Sequence, residues 1–228
     1  MKIYGIGLGP GDPELLTVKA VRILEEADII VVPQSDKTGR SIAGDIVKHY
    51  ISDDKIHWYF FPMTGIKADL DVRYTDLAGT MADMLKSGKK VAYVTIGDTP
   101  IYSTFNYLRN KLIKQDIEME MIPGVAAYSA GANQVALPLC EKGENFCIIE
   151  MPETKEELAR ALESFTSVIL MKVHRKLSVL NEFVRENELR AAYLFHRVSL
   201  SDGETFDLLK QNIDDDSAGY LSTAIVKK

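Results

Sequence analysis

The chain has 228 residues, 46% hydrophobic and 26% charged, with a formal net charge of −6. That is the composition of an ordinary globular protein, long enough to bury a substantial core as one large domain or two small ones. The acidic balance argues against non-specific nucleic-acid binding, which needs clustered Lys and Arg, and no apolar run approaches the roughly 18 residues of a membrane helix.

The first half alternates strand and helix patterns. Lys2 to Gly7 reads as a short buried strand. Glu14 to Glu26 carries Leu15, Leu16, Val18, Ala20, Val21, Ile23 and Leu24 at helical spacing. Ala27 to Val32 is a β-branched run that Pro33 is expected to stop, and such runs suit a parallel strand covered on both faces. Ser41 to Tyr50 reads as a helix capped by Ser41, and His57 to Phe61 as an aromatic strand. Asp69 to Lys86 is a long amphipathic helix closed by Ser87 and Gly88. Lys90 to Ile96 is a strand, Tyr102 to Lys114 a helix and Glu118 to Ile122 a strand.

Pro123 and Gly124 punctuate the chain, and the texture then changes. Val125 to Val135 is a helix of small residues. Phe146 to Glu150, Ser167 to Met171, Ala191 to Phe195 and Tyr220 to Val226 read as strands, with helices over Glu153 to Leu162 and Lys176 to Arg185. The expected fold class is α/β: two α/β domains with a shared cleft, residues 1–122 built on a mostly parallel sheet and residues 123–228 on a mixed one.

Two cysteines, Cys140 and Cys147, fit no zinc or redox spacing and are expected to be partly buried small hydrophobes. His49, His57 and His174 show no metal spacing either. With no disulfide framework and no basic-then-apolar leader ahead of Lys2-Ile3-Tyr4, a cytoplasmic protein is expected.

Two loops carry the chemical information. Gly5-Ile6-Gly7-Leu8-Gly9-Pro10-Gly11-Asp12 and Gly97-Asp98-Thr99-Pro100 each follow an apolar strand and open a helix, which is where α/β proteins build small-molecule sites. A dinucleotide fingerprint fails in both registers. Its third glycine would fall on Pro10 or on Asp12. Gly39-Arg40-Ser41 lacks the Lys of a phosphate loop. By themselves these residues also suit tight turns needing positive φ.

Taken together, the motifs resemble the tetrapyrrole methyltransferases, which use S-adenosylmethionine. The resemblance rests on Gly7-Leu8-Gly9-Pro10-Gly11-Asp12 with Leu15-Leu16-Thr17, on Ala27-Asp28, on Gly97-Asp98 and on Ile122-Pro123-Gly124 with its small-residue helix. The last strand, Tyr220 to Lys227, completes it, so it spans nearly the whole chain in order. Phe61-Pro62-Met63-Thr64, Tyr102-Ser103-Thr104 and the loop Asp36 to Ala43 resemble the branch that methylates precorrin-2 at C20. One departure stands out: Thr99 occupies the place of the family's proline, with Pro100 next, and the loop's backbone path is left open.

The resemblance implies cofactor contacts from Gly97, Asp98, Thr99, Ile101, Tyr102, Thr104, Ser129, Met171, Ser222 and Thr223, the last two beside the same adenine ring. It implies a macrocycle trough bordered by Pro10 and Asp12, with Lys37 and Arg40 on the substrate's carboxylate arms and Lys172 and Arg175 as weaker alternatives. Methyl transfer from a sulfonium needs geometry more than a metal or covalent intermediate. It also needs a proton acceptor, for which Asp12, Tyr102 and His196 stay open. The implied partner is a small tetrapyrrole, and relatives imply a homodimer. Two other readings are a same-fold methyltransferase acting on diphthamide or ribosomal RNA, and a non-enzymatic nucleotide-binding module.

Overall fold

The computed structural model describes residues 2–34, 41–61 and 67–228. It divides into two compact units, Met1–Ala126 and Ala127–Lys228.

The first unit is built on five parallel strands: β1 (Ile3–Gly7), β2 (Ile29–Gln34), β3 (Ile56–Phe60), β4 (Val91–Thr95) and β5 (Met119–Ile122), in the order β3-β2-β4-β1-β5. Helices α1 (Val18–Glu26) and α2 (Ile42–Lys48) cover one face, where Ile23, Leu24 and Ile46 meet Ile6, Ile30 and Val94. Helices α3 (Lys67–Lys86) and α4 (Phe105–Ile113) cover the other, where Leu77, Met81, Phe105 and Leu108 meet Ile3, Val31 and Tyr93. Neighbouring residues of one strand thus enter different cores, which is why these strands read as unbroken apolar runs. Each fully buried Leu or Ile contributes roughly 1.5–3 kcal/mol.

The second unit has β6 (Phe146–Glu150), β7 (Ser167–Met171), β8 (Ala191–His196), β9 (Glu204–Asp207) and β10 (Ser222–Lys227), in the order β6-β7-β10-β8-β9. Strands β6 and β7 are parallel and the other pairs antiparallel, so this sheet is mixed as expected. Helices α6 (Lys155–Ser164) and α7 (Leu177–Glu186) pack on one face through Leu158, Leu180 and Phe183. Helix α5 (Ala127–Gln134) packs on the other, against Ile169, Phe195 and Ile225.

Several boundaries differ from the sequence reading for identifiable reasons. The helix expected from Glu14 begins at Val18, because Thr17 is its cap: the Thr17 hydroxyl accepts the Ala20 N–H at 3.2 Å. Pro13 to Leu15 instead form a short 3-10 turn capped by Asp12. Pro33 lies inside β2 instead of ending it. The Gln34 carbonyl accepts the Phe61 N–H at 2.7 Å, so Pro33 points the other way, toward β4, with which pairing has already ended at Val31. The Pro33 carbonyl accepts the Ser41 hydroxyl at 3.3 Å. The helix expected from Tyr102 starts at Phe105, since Tyr102 holds φ 48° and cannot continue a right-handed turn. Strand β9 has no apolar run and gave no sequence signal. Cys140 is exposed, contrary to expectation, in the turn-rich segment after α5, while Cys147 on β6 is half-buried and desolvation raises its thiol pKa.

Candidate functional site

In the parallel sheet, the chain leaves β1 toward β2 and leaves β4 toward β5. These two strands are neighbours, so the loops at their carboxyl ends flank the point where the winding reverses. The two glycine loops singled out in the sequence are those loops. They pair with each other: Gly97 N–H donates to the Gly9 carbonyl at 2.7 Å, and Gly9 N–H to the Gly97 carbonyl at 3.2 Å. Both glycines hold positive φ, 76° at Gly9 and 74° at Gly97.

Two glycines, Gly7 and Gly124, allow the strand ends to approach backbone to backbone. A Cβ on Gly124 would lie 2.3 Å from the Gly97 carbonyl oxygen, and one on Gly7 would lie 2.7 Å from the Gly124 nitrogen. Beside Gly97 itself a Cβ would meet nothing within 4 Å among the described residues, so the turn's flank is open. Asp98 ties the turn down: its Oδ1 accepts the Thr99 N–H at 2.9 Å and the Gly124 N–H at 3.0 Å. Thr99, standing where proline was expected, is 2% exposed. Ile101 is half-buried and Tyr102 is 44% exposed.

The turn is anchored from below by Tyr93, Thr95 and Ser103, to which the sequence reading gave no site role, together with Thr104, which it expected at the cofactor. Ser103, 5% exposed, accepts the Phe105 N–H at 3.0 Å and donates to the Thr95 hydroxyl at 3.1 Å. Thr104, exposed at the head of α4, has the Tyr93 hydroxyl at 3.3 Å and the Thr95 hydroxyl at 3.5 Å. Burial pushes the Tyr93 phenol pKa far up. A signal was present in Ser103-Thr104-Phe105, since hydroxyl residues at a helix entry serve as caps. In the first loop Pro10 is buried, and Asp12 Oδ1 accepts the Glu14 N–H at 2.9 Å, so the structure gives this carboxylate a turn-forming role.

In the second unit, Met171 and Thr223 are register partners on β7 and β10, and the Thr223 hydroxyl donates to the Met171 sulfur at 3.5 Å. With Phe195 they face α5, whose Gly131 sits so close that a Cβ there would lie 2.6 Å from the Phe195 ring. Ser129 on α5 borders an open groove of about 460 Å³ with Asn133, Leu137, Leu139 and Phe146. Ser222 is not grouped with Thr223. Adjacent strand residues point to opposite faces, and Ser222 pairs instead with His196, Oγ to Nδ1 at 3.0 Å. A single ring beside both side chains, as the sequence reading expected, therefore does not fit the strand geometry. Lys172 and Arg175 are exposed, at φ 59° and 64°. Lys37, Arg40 and the stretch Pro62-Met63-Thr64 lie outside the described residues. Among the described residues no three His, Cys, Asp or Glu side chains gather as a metal site, and no helix is long and apolar enough to cross a membrane.

Residues 2–211 match the family described as Tetrapyrrole (Corrin/Porphyrin) Methylases. Over 234 aligned residues the chain is 35% identical to the probable cobalt-precorrin-2 C(20)-methyltransferase of Methanocaldococcus jannaschii, covering 100% of this chain and 96% of that protein. It is 29% identical to the cobalt-precorrin-2 C(20)-methyltransferase of Salmonella typhimurium, again covering 100% and 96%. Among solved structures, a cobalt precorrin-4 methyltransferase superposes with a TM-score of 0.75 at 20% identity, covering 99% of this chain and 94% of the other. A Thermus thermophilus uroporphyrin-III C-methyltransferase complexed with S-adenosylhomocysteine gives 0.67 at 17% identity, covering 100% and 92%. The glycine turns at the switch point, the two sheets and the near-complete sequence match lead to one conclusion: the chain belongs to the tetrapyrrole (corrin/porphyrin) methylases.

Proposed function

We propose that this protein transfers a methyl group from S-adenosylmethionine to C20 of precorrin-2 or its cobalt form, a step of cobalamin biosynthesis. The observation that carries the reading is the end-to-end match to two relatives named for that activity. The sequence features Tyr102-Ser103-Thr104 and Gly97-Asp98 lie at the sheet's switch point, which supports it.

The residues present suit the donor. Gly97 leaves open space where a side chain would stand, which gives a zwitterionic amino-acid end room to approach the turn. Gly97, Asp98, Thr99, Ile101, Tyr102 and Thr104 would hold that end, Ser129, Met171 and Thr223 are proposed on the adenosine side, and Ser222 is proposed to act through His196 on the opposite face of β10. Bound there, the sulfonium supplies an activated methyl group: the C20–CH3 bond forms as the S–CH3 bond breaks, S-adenosylhomocysteine leaves, and C20 gives up one proton.

The chain's own part is positional. Asp98 holds the turn rigid through two accepted N–H groups, which keeps the reacting geometry from spreading. Pro10 and Asp12 are proposed at the edge of the substrate trough, with Lys37 and Arg40 on its carboxylates. The proton acceptor stays among Asp12, Tyr102 and His196. His196 has a specific feature in its favour: its Nδ1 is engaged by Ser222, which leaves Nε2 as the ring's other nitrogen. A twofold dimer in the cytoplasm completes the proposal; light scattering tests the first part.

The direct test is incubation of the purified protein with S-adenosylmethionine and precorrin-2 or its cobalt complex under anaerobic conditions. Mass spectrometry and NMR should find one added methyl, at C20. No methyl on either substrate would refute the assignment. Comparing rates on the two substrates decides whether cobalt is already present at this step.

A further inference from the structure

Beneath the Gly97–Tyr102 turn, four hydroxyls run from the core of the first unit to its surface. Tyr93 is fully buried, Thr95 and Ser103 are buried, and Thr104 is exposed. Their polarity can be worked out. The Phe105 amide can only donate, so Ser103 Oγ accepts from it and passes its own proton to Thr95 Oγ1. A buried O–H left without an acceptor costs about 1–3 kcal/mol. Among the described residues, the partner recorded for the Tyr93 hydroxyl is Thr104, and Thr104 is also next in line from Thr95. Both buried protons are therefore best placed on Thr104 Oγ1. That oxygen then accepts from within, and its own proton turns outward.

We infer that Tyr93, Thr95 and Ser103 are positioning residues that fix Thr104 as an outward hydrogen-bond donor, and that this donor recognises the carboxylate of the methyl donor's amino-acid end. The inference rests on the methyl-transfer reading above and adds residues and a direction to it. A carboxylate is an acceptor only, so a donor held in place matches it. The ammonium on the same carbon is a donor only, so it is turned away, and the amino-acid end is oriented. An unoriented hydroxyl would serve either group.

The test is calorimetric titration of the intact protein with S-adenosylhomocysteine and with its decarboxylated analogue, which lacks the carboxylate alone. Thr104→Val should lower affinity for S-adenosylhomocysteine about tenfold, the loss of one hydrogen bond to a charged group. It should leave affinity for the analogue unchanged. Thr104→Ser should restore binding. Tyr93→Phe, which keeps the ring and its packing, should weaken S-adenosylhomocysteine a few fold (roughly two to five) and again spare the analogue. Equal losses on both ligands, or no loss for Thr104→Val, would overturn the inference while leaving methyl transfer intact. A wild-type protein that binds neither ligand would instead overturn the methyl-transfer reading itself.

Discussion

Gly9 and Gly97 exchange a reciprocal pair of backbone hydrogen bonds, although they lie in different loops and both hold positive φ. The pair joins the ends of β1 and β4 at the sheet's switch point. Its neighbour Gly124 is needed for a different reason: not conformation but space, with the Gly97 carbonyl 2.3 Å from where a Cβ would stand.

The two glycines should therefore respond differently to alanine. Gly97→Ala meets open space and suffers only the left-handed backbone penalty, about 1–2 kcal/mol. Gly124→Ala must push one strand end off another, because the atoms it meets are backbone. That should cost about 3 kcal/mol and break the Gly9–Gly97 pair. Urea unfolding of both variants checks the order; equal losses would show that the strand ends part easily.

Asp98 gives the second expectation. One of its oxygens accepts two N–H groups, from Thr99 and Gly124, so Asp98→Ala leaves two donors unmet. A loss of about 1–3 kcal/mol is expected, with weaker binding of S-adenosylhomocysteine. Asp98→Asn keeps a carbonyl oxygen at the same place and should recover most of the stability. If the asparagine variant is as unstable as the alanine one, the negative charge matters more than the acceptor.

The parts of this fold that were legible in the sequence share a physical cause. Strands β6 and β7 were read to the residue because apolar runs end at polar turns on both sides. Helix entries were read less well. Leu15 and Leu16 continue the apolar pattern of α1, yet the Thr17 cap, not the pattern, sets the start. Tyr102 carries no mark of its left-handed backbone. The site divides along similar lines. Glycine loops announce themselves, since few residues tolerate positive φ or backbone-to-backbone approach. The hydroxyl line through Tyr93, Thr95 and Ser103 does not, because it depends on which face of β4 meets the start of α4. The separation of Ser222 from Thr223 was available from strand alternation alone.

Acid sensitivity should centre on Glu120, at the edge strand β5. Hydrogen bonds from Lys19 and then Lys2 lower its pKa from 4.5 to about 2. A carboxylate held lower in the folded state stabilises above its unfolded pKa and loses that contribution as pH falls through the folded one. The window here is about 4.5 down to about 2. Glu120→Gln should flatten the fall of Tm with pH over that range, and added salt should blunt the difference because the group is solvent-accessible. Superimposable Tm–pH curves for the two proteins would rule this out.

Ser222 and Thr223 offer the sharpest separation of roles. The Ser222 hydroxyl donates to the Ala218 carbonyl, which cannot donate back, so Ser222 must accept from His196 Nδ1–H. Neutral His196 then carries its proton on Nδ1 and keeps the Nε2 lone pair for accepting one. Nitrogen-15 NMR of the histidine-labelled protein should show the Nδ1–H tautomer, and Ser222→Ala should relax it. If His196 takes the C20 proton, Ser222→Ala should also lower kcat while leaving S-adenosylhomocysteine affinity within about twofold. Thr223→Val should do the reverse, since Thr223 faces Met171 and not His196: several-fold weaker binding with an unchanged histidine spectrum. An Nε2–H tautomer in the wild-type protein would contradict the bonding at Ser222. Equal effects of the two substitutions on binding would contradict the opposite-face assignment and return both residues to one site.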